Sequence, residues 1–164
     1  MLWVPFNEGW GQFDAKQITR LVRKLDPTRL IDHASGWHDQ GGDDLASFHI
    51  YYKPVKCHPD TAGRPVVISE FGGYSYGVPG HCVSARQFGY RRYDTAGHFF
   101  TAYRELIEKE ILPQLDIISA VVYTQLSDVE DEVNGLLTYD RAVCKCDKAA
   151  MKTLNQRLQF GGNK

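Results

Sequence analysis

The chain has 164 residues, 43% hydrophobic and 24% charged, with a formal net charge of −1. That is enough for one domain with a core. The near-neutral charge argues against nucleic acid or an anionic membrane as principal partner, since both reward a basic surface. No apolar run reaches the length that spans a bilayer. Met1 leads straight into an apolar segment, without the basic region and small-residue cleavage site of a signal peptide.

Residues Leu2 to Asn7 read as a buried strand despite Pro5, and Glu8 is the first acid after it. Phe13 to Leu25 has helical spacing, with Ile18, Leu21, Val22 and Leu25 as its apolar stripe, and Asp26-Pro27 ends it. Arg29 to Ala34 is a second strand. A loop rich in glycine and aspartate, Ser35 to Asp44, carries Trp37. Leu45 to Tyr52 is a third strand and Pro65 to Ser69 a fourth, ending at Glu70. Gly72 to Arg92 is a long loop rich in glycine and aromatics, a size that often carries function. Tyr93 to Leu112 is the longest predicted helix, its buried face formed by Phe99, Phe100, Tyr103, Leu106, Ile107 and Ile111. Ile117 to Thr124 is the fifth strand, and Ser127 to Asp131 an acidic, solvated loop. Asn134-Gly135 marks a turn before Leu136 to Tyr139. Asp147 to Leu158 closes the chain as a helix, and residues 161–164 read as a frayed tail. Alternation of strands and helices implies parallel strands with right-handed crossovers. No Gly-x-Gly-x-x-Gly follows a strand, so a dinucleotide site has no support.

The four cysteines, Cys57, Cys82, Cys144 and Cys146, fit no zinc spacing. Unpaired thiols are the simpler reading. Neither a metal nor a cofactor is expected. The acidic stretch from Asp128 to Asn134 lacks the glycine placement of an EF-hand.

Chemistry concentrates at two strand ends. Carboxylates at the carboxyl ends of strands in one sheet can face each other across a pocket, the minimal apparatus for cleaving a glycosidic bond. Glu8 is placed to protonate a leaving oxygen, with Asn7 beside it offering donors and an acceptor to a sugar hydroxyl. Glu70 is placed to attack an anomeric carbon; Gly72 and Gly73 leave room for a sharp turn. His49 and Tyr51, two apart on one strand, face the same side, and Tyr51 can hold Glu70 ionised. Trp10 and Trp37 follow strands and offer aromatic platforms for sugar. Gln125 and Asp128 follow the fifth strand and can reach the same pocket.

Four motifs, in order, strengthen this reading: Pro5-Phe-Asn-Glu-Gly-Trp-Gly11, His49-Ile-Tyr51, Ile68-Ser-Glu-Phe-Gly-Gly73, and the stretch from Tyr123 to Arg141. Together they resemble the catalytic domain of family 2 glycoside hydrolases, which includes β-galactosidases, β-glucuronidases and β-mannosidases. The resemblance runs from Leu2 to about Leu158. It implies a retaining β-glycosidase working by double displacement, with Glu8 as acid/base and Glu70 as nucleophile. Asn7 would bind the hydroxyl next to the anomeric carbon, and Tyr51 would support Glu70. Two positions depart from the family pattern, Ser47 in place of Asp and Tyr123 in place of Trp, and both bear on substrate identity.

The resemblance also implies an α/β fold built as part of a TIM (β/α)8 barrel. A complete barrel takes about 250 residues, so the chain would hold strands four to eight with their helices, over residues 1–160. The expected partners are a carbohydrate substrate and either the missing amino-terminal half of the barrel or a second copy, with neither nucleic acid nor membrane. The alternative reading is a carbohydrate-binding but catalytically silent half-barrel lacking one pocket wall.

Overall fold

The computed structural model describes residues 2–160, so the expected frayed tail at 161–164 lies outside the described residues. Two short parallel pairings open the chain. Leu2–Trp3 (β1) pairs with Leu30–Ile31 (β3), and Phe6–Asn7 (β2) pairs with Ala34–Ser35 (β4). The single strand expected over Leu2 to Asn7 is thus split around Pro5, which has no N–H to give a ladder. The strand expected from Arg29 to Ala34 is split in step with it. Helix Ala15–Leu25 (α1) makes the crossover between the two halves. Its expected apolar stripe is not the buried one: Ala15 and Thr19 are buried, while Leu21 and Leu25 are exposed.

The main sheet has three parallel strands, ordered Ala46–Ile50 (β5), Val66–Gly72 (β6) and Ile118–Thr124 (β9). Within the long aromatic loop, Tyr74–Ser75 (β7) pairs with Arg91–Arg92 (β8). Helix Ala96–Leu106 (α2) follows, capped by Thr95, whose side chain accepts from His98 N–H at 3.1 Å. The long predicted helix does not stay α-helical to Leu112. It widens into a π turn over Ile107–Ile111 and tightens into a 3-10 turn over Leu112–Gln114. There it clasps the loop after β5: Val55 N–H donates to Glu110 and Cys57 N–H to Gln114, at 2.7 and 2.8 Å. Helix Lys148–Asn155 (α3), capped by Asp147, closes the fold. The core lies between the main sheet and α2, built on Ile68, Phe71, Phe99, Ile107, Ile111 and Ile118.

The expectation of a partial TIM (β/α)8 barrel, strands four to eight with their helices, is overturned. The described residues hold three α-helices and parallel sheets of two or three strands that do not close into a barrel. Barrel walls need continuous backbone ladders from strand to strand. Here the ladder stops between β4 and β5, and side chains bridge the seam. Ser47 Oγ donates to Asp32 at 2.7 Å, Gly36 N–H donates to Ser47 Oγ at 3.3 Å, and Ser35 Oγ lies 3.0 Å from His49 Nε2. Two-residue strands split by Pro5 are too short to act as staves. Among the described residues, no helix is long and apolar enough to cross a membrane.

Candidate active site

A bulge places the second carboxylate. Strands β5 and β6 run in register as far as Phe48 opposite Ile68, then shift, so that His49 stands opposite Glu70. The residue skipped is Ser69. Without the shift, Glu70 would follow Ile68 onto the core face, since alternate residues share a face. With it, Ile68 is fully buried and Glu70 is partly open to solvent. Glu8 arrives differently. Its N–H donates to Ser35 O at 2.9 Å, extending the β2–β4 pairing by one step. Its backbone then turns through the left-handed region at φ 53°, uncommon for a residue with a side chain.

His49 joins the two acids. Its ring is buried, and Nδ1 lies 2.8 Å from Glu8 Oε1 and 3.3 Å from Glu70 Oε2. One oxygen of each carboxylate and one ring nitrogen all fall within 4.8 Å of one another. Gly36, at φ 91°, is what admits the ring: a Cβ there would stand 2.3 Å from His49. Behind the ring, Nε2 meets Ser35 Oγ, which donates to Ser69 Oγ at 2.9 Å. Below them Asp32 is buried, and loss of water pushes its carboxyl above the usual range, offset in part by the Ser47 hydroxyl.

Tyr51, directly after β5, donates to Glu70 Oε2 at 2.7 Å and lies 2.8 Å from Thr124 Oγ1. A phenol has one proton, so the threonine hydroxyl donates to the phenol. Of these groups Glu8, His49 and Tyr51, but not Glu70, line a cleft of about 580 Å³ together with Trp37, Tyr52 and Tyr90, with Lys53 and Lys56 also on its wall.

The structure therefore brings together Glu8, Glu70, His49, Tyr51 and Trp37. Asn7 sits beside Glu8 at the end of β2, exposed, and does not line the cleft. Trp10 stands apart at 77% exposure and also lies off the cleft. Gln125 turns away: its amide donates to Glu132 and Asn134 at 2.8 and 2.7 Å. Asp128 is not in a solvated loop but buried, bonded to Lys145 Nζ at 2.6 Å. Tyr123 packs edge-on against Phe71 and Tyr103 in the core.

Sequence reasoning missed Tyr90, Tyr52, Ser35 and the two lysines. Tyr90 carried a signal, since it lies in the long aromatic loop singled out for its length. Ser35 had none, because its role depends on a neighbouring strand.

No protein-family model matches the sequence, and no curated protein matches it. Among solved structures, the chain is similar to a β-glucuronidase of Faecalibacterium prausnitzii, at 17% identity and a TM-score of 0.46, over 87% of this chain and 27% of that one. The chain thus spans about a quarter of that enzyme's length. A likeness this distant assigns neither fold nor chemistry.

Proposed function

We propose that the cleft is a retaining glycosidase site, with Glu70 as nucleophile and Glu8 as acid/base. One observation carries the reading: an oxygen of Glu8, on the wall of an aromatic cleft, and an oxygen of Glu70, bonded to the cleft residue Tyr51, lie within 4.8 Å of each other. Retaining glycosidases hold their carboxyl groups about 5–5.5 Å apart, whereas inverting ones leave about 6.5–9.5 Å for a water. The close spacing supports retention. That the scissile bond is a β-linkage rests on the sequence motifs alone.

In the first step Glu70 attacks the anomeric carbon as the glycosidic bond breaks. Glu8 gives its proton to the departing oxygen, leaving a glycosyl ester on Glu70. In the second step Glu8 takes a proton from water, whose oxygen attacks the same carbon and releases Glu70. Tyr51 holds Glu70 in line and donates to its charge. Trp37, Tyr52 and Tyr90 offer flat surfaces for the sugar ring. Lys53 and Lys56 favour a sugar carrying an anionic group.

The test is covalent trapping. A set of 2-deoxy-2-fluoro glycosides, neutral and acidic, is incubated with the protein, and the labelled peptide is mapped by mass spectrometry. The expected label is on Glu70, with hydrolysis of aryl glycosides lost in Glu70→Gln. A label on another residue, or full turnover by Glu70→Gln, would overturn the assignment. Sugar binding by calorimetry without any hydrolysis would replace it with a carbohydrate-binding role.

A further inference from the structure

The two acids do not share the cleft evenly. Glu8 lines it and Glu70 does not, although their oxygens lie within 4.8 Å of each other. In retaining hydrolysis the two carboxyl groups do different work at one bond. The nucleophile meets the anomeric carbon. The acid comes within hydrogen-bond reach of the departing oxygen. Whatever is attached to that oxygen therefore occupies the space beside the acid. With Glu8 as the acid, that space is the cleft of about 580 Å³.

The cleft wall is held in place. Tyr52 sits at φ 58°, a left-handed backbone that a bulky side chain adopts at a cost. Arg91 Nη2 donates to Tyr52 O at 2.8 Å and fixes that carbonyl. The Tyr52 ring meets Tyr90 edge-on, centroids 5.3 Å apart. Tyr90 in turn fills the space at Gly73, where an added Cβ would stand 2.2 Å from its ring. Yet Tyr52 stays 60% exposed, and Trp37 and Phe48 on the same cleft are exposed as well. A strained backbone that holds an aromatic ring in the open gains little from apolar burial. Strain of this kind concentrates where a ligand is held. Lys53 and Lys56 stand on the same wall, and among the described residues neither has a carboxylate within 4.0 Å. Their charges are free to meet a ligand.

We infer that the cleft binds the leaving group, and that it selects one with a flat apolar face and a negative charge. An acidic sugar on the departing side of the cleaved bond has both: its ring C–H groups make the apolar face and its carboxylate the charge. The inference rests on the proposed roles of Glu8 and Glu70. It divides the substrate: the sugar left as an ester on Glu70 lies outside the cleft, and the group released first lies inside it. In that step the bond from Glu70 to the anomeric carbon forms as the bond to the departing oxygen breaks. The electron pair goes to that oxygen, which takes the Glu8 proton. Trp37, Tyr52 and Tyr90 stack on the departing ring, and Lys53 and Lys56 draw its anion. The released group must clear Glu8 before water can take its place.

The test compares leaving groups across the panel of sugars used for trapping. Wild type and variants are given the glycosyl fluoride, the nitrophenyl glycoside, and a ring-carboxylated nitrophenyl glycoside of matched phenol acidity. Fluoride is a single atom that departs without a proton, so it does not use the cleft. Tyr52→Gly removes the ring and relieves the left-handed backbone, so the fold is kept. It should lower the ratio of kcat/KM for the nitrophenyl glycoside to that for the fluoride by about tenfold or more. Wild type should favour the carboxylated leaving group by roughly threefold or more, and the pair Lys53→Gln and Lys56→Gln, or added salt, should abolish that preference. An unchanged ratio in Tyr52→Gly would place the attacked sugar in the cleft and overturn the assignment. So would a wild type indifferent to the carboxylate. Failure of the glycosidase reading looks different: no member of the panel is turned over and Glu70 takes no label. The leaving-group assignment then falls with it.

Discussion

Tyr51 lies flat on Tyr90, ring centroids 4.0 Å apart and planes within 5° of parallel. The stack fixes the Tyr51 ring while its hydroxyl bonds Glu70 at 2.7 Å. Burial pushes the Tyr51 phenol well above its ordinary range, so it stays a proton donor wherever the protein is folded. Tyr51→Phe keeps the stack and removes the donor. A hydrogen bond to a charged group contributes about 1.5–3 kcal/mol, so the proposed glycoside hydrolysis should slow by roughly tenfold to a hundredfold. The KM should change little. An unchanged kcat would show that Tyr51 does not position the proposed nucleophile.

Gly36 makes room for His49. At φ 91°, with an added Cβ only 2.3 Å from the imidazole, any side chain brings both backbone strain and a clash. Gly36→Ala should cost about 2–4 kcal/mol of stability, read as a lower midpoint in urea unfolding. Gly41 offers the control, since nothing stands near its missing Cβ. Gly41→Ala meets only the backbone strain of φ 70° and should lose distinctly less. Equal losses at the two positions would refute the packing account.

Asp128 and Lys145 form a buried ion pair that ties the loop after β9 to the segment before α3. Lys145 Nζ donates to Asp128 Oδ1 at 2.6 Å and to Val133 O at 3.0 Å, and Gly135 N–H donates to the same aspartate oxygen at 2.8 Å. Burial pushes the lysine down and the aspartate up, each partly offset by the other. Removing one partner strands the other in the interior, at about 3–5 kcal/mol. Lys145→Met should show that loss in chemical denaturation. The double variant with Asp128→Asn should lose less than the two single losses added together. Strict additivity would mean the two groups are not coupled.

The Arg64 cluster predicts an acid limb in stability. Hydrogen bonds from the Arg64 side chain and backbone hold the Asp60 carboxyl at about 2, below its ordinary 3.8. Between those values the unfolded chain binds a proton that the folded chain does not, so unfolding is favoured as pH falls. The contribution is complete above about pH 5 and gone only near pH 1, below both values. Thermal unfolding of wild type and Asp60→Asn should therefore differ most at neutral pH and converge at low pH. A gap that does not vary with pH would exclude the Asp60 titration as its source.

The main strands of the sheet, the helix containing Phe99 and Tyr103, and the pairing of Glu8 with Glu70 were legible because each has a local signature. Val66 to Ile68 is an apolar run, α2 carries buried residues at helical spacing, and Glu8 directly follows β2, while Glu70, expected just after its strand, lies inside β6 two residues before its end. Trp10, Gln125 and Asp128 were misplaced because position after a strand does not say which way a loop folds. Gln125 found Glu132 and Asn134, and Asp128 found Lys145 seventeen residues on. The barrel failed for a similar reason. A strand pattern gives the elements, not whether neighbouring ladders join, and at the β4–β5 seam side chains replaced the ladder.

The amino-acid order alone settled which groups could do chemistry: two glutamates at strand ends, a histidine and a tyrosine two apart, and aromatics in the loops around them. Those follow from residue type and short-range periodicity. Only the folded chain decided that His49 stands between the acids, that a bulge at Ser69 turns Glu70 out of the core, and that Tyr90 backs Tyr51. These arrangements depend on register between segments distant in sequence. A shift of one residue reverses which face a side chain takes, and no local pattern records it.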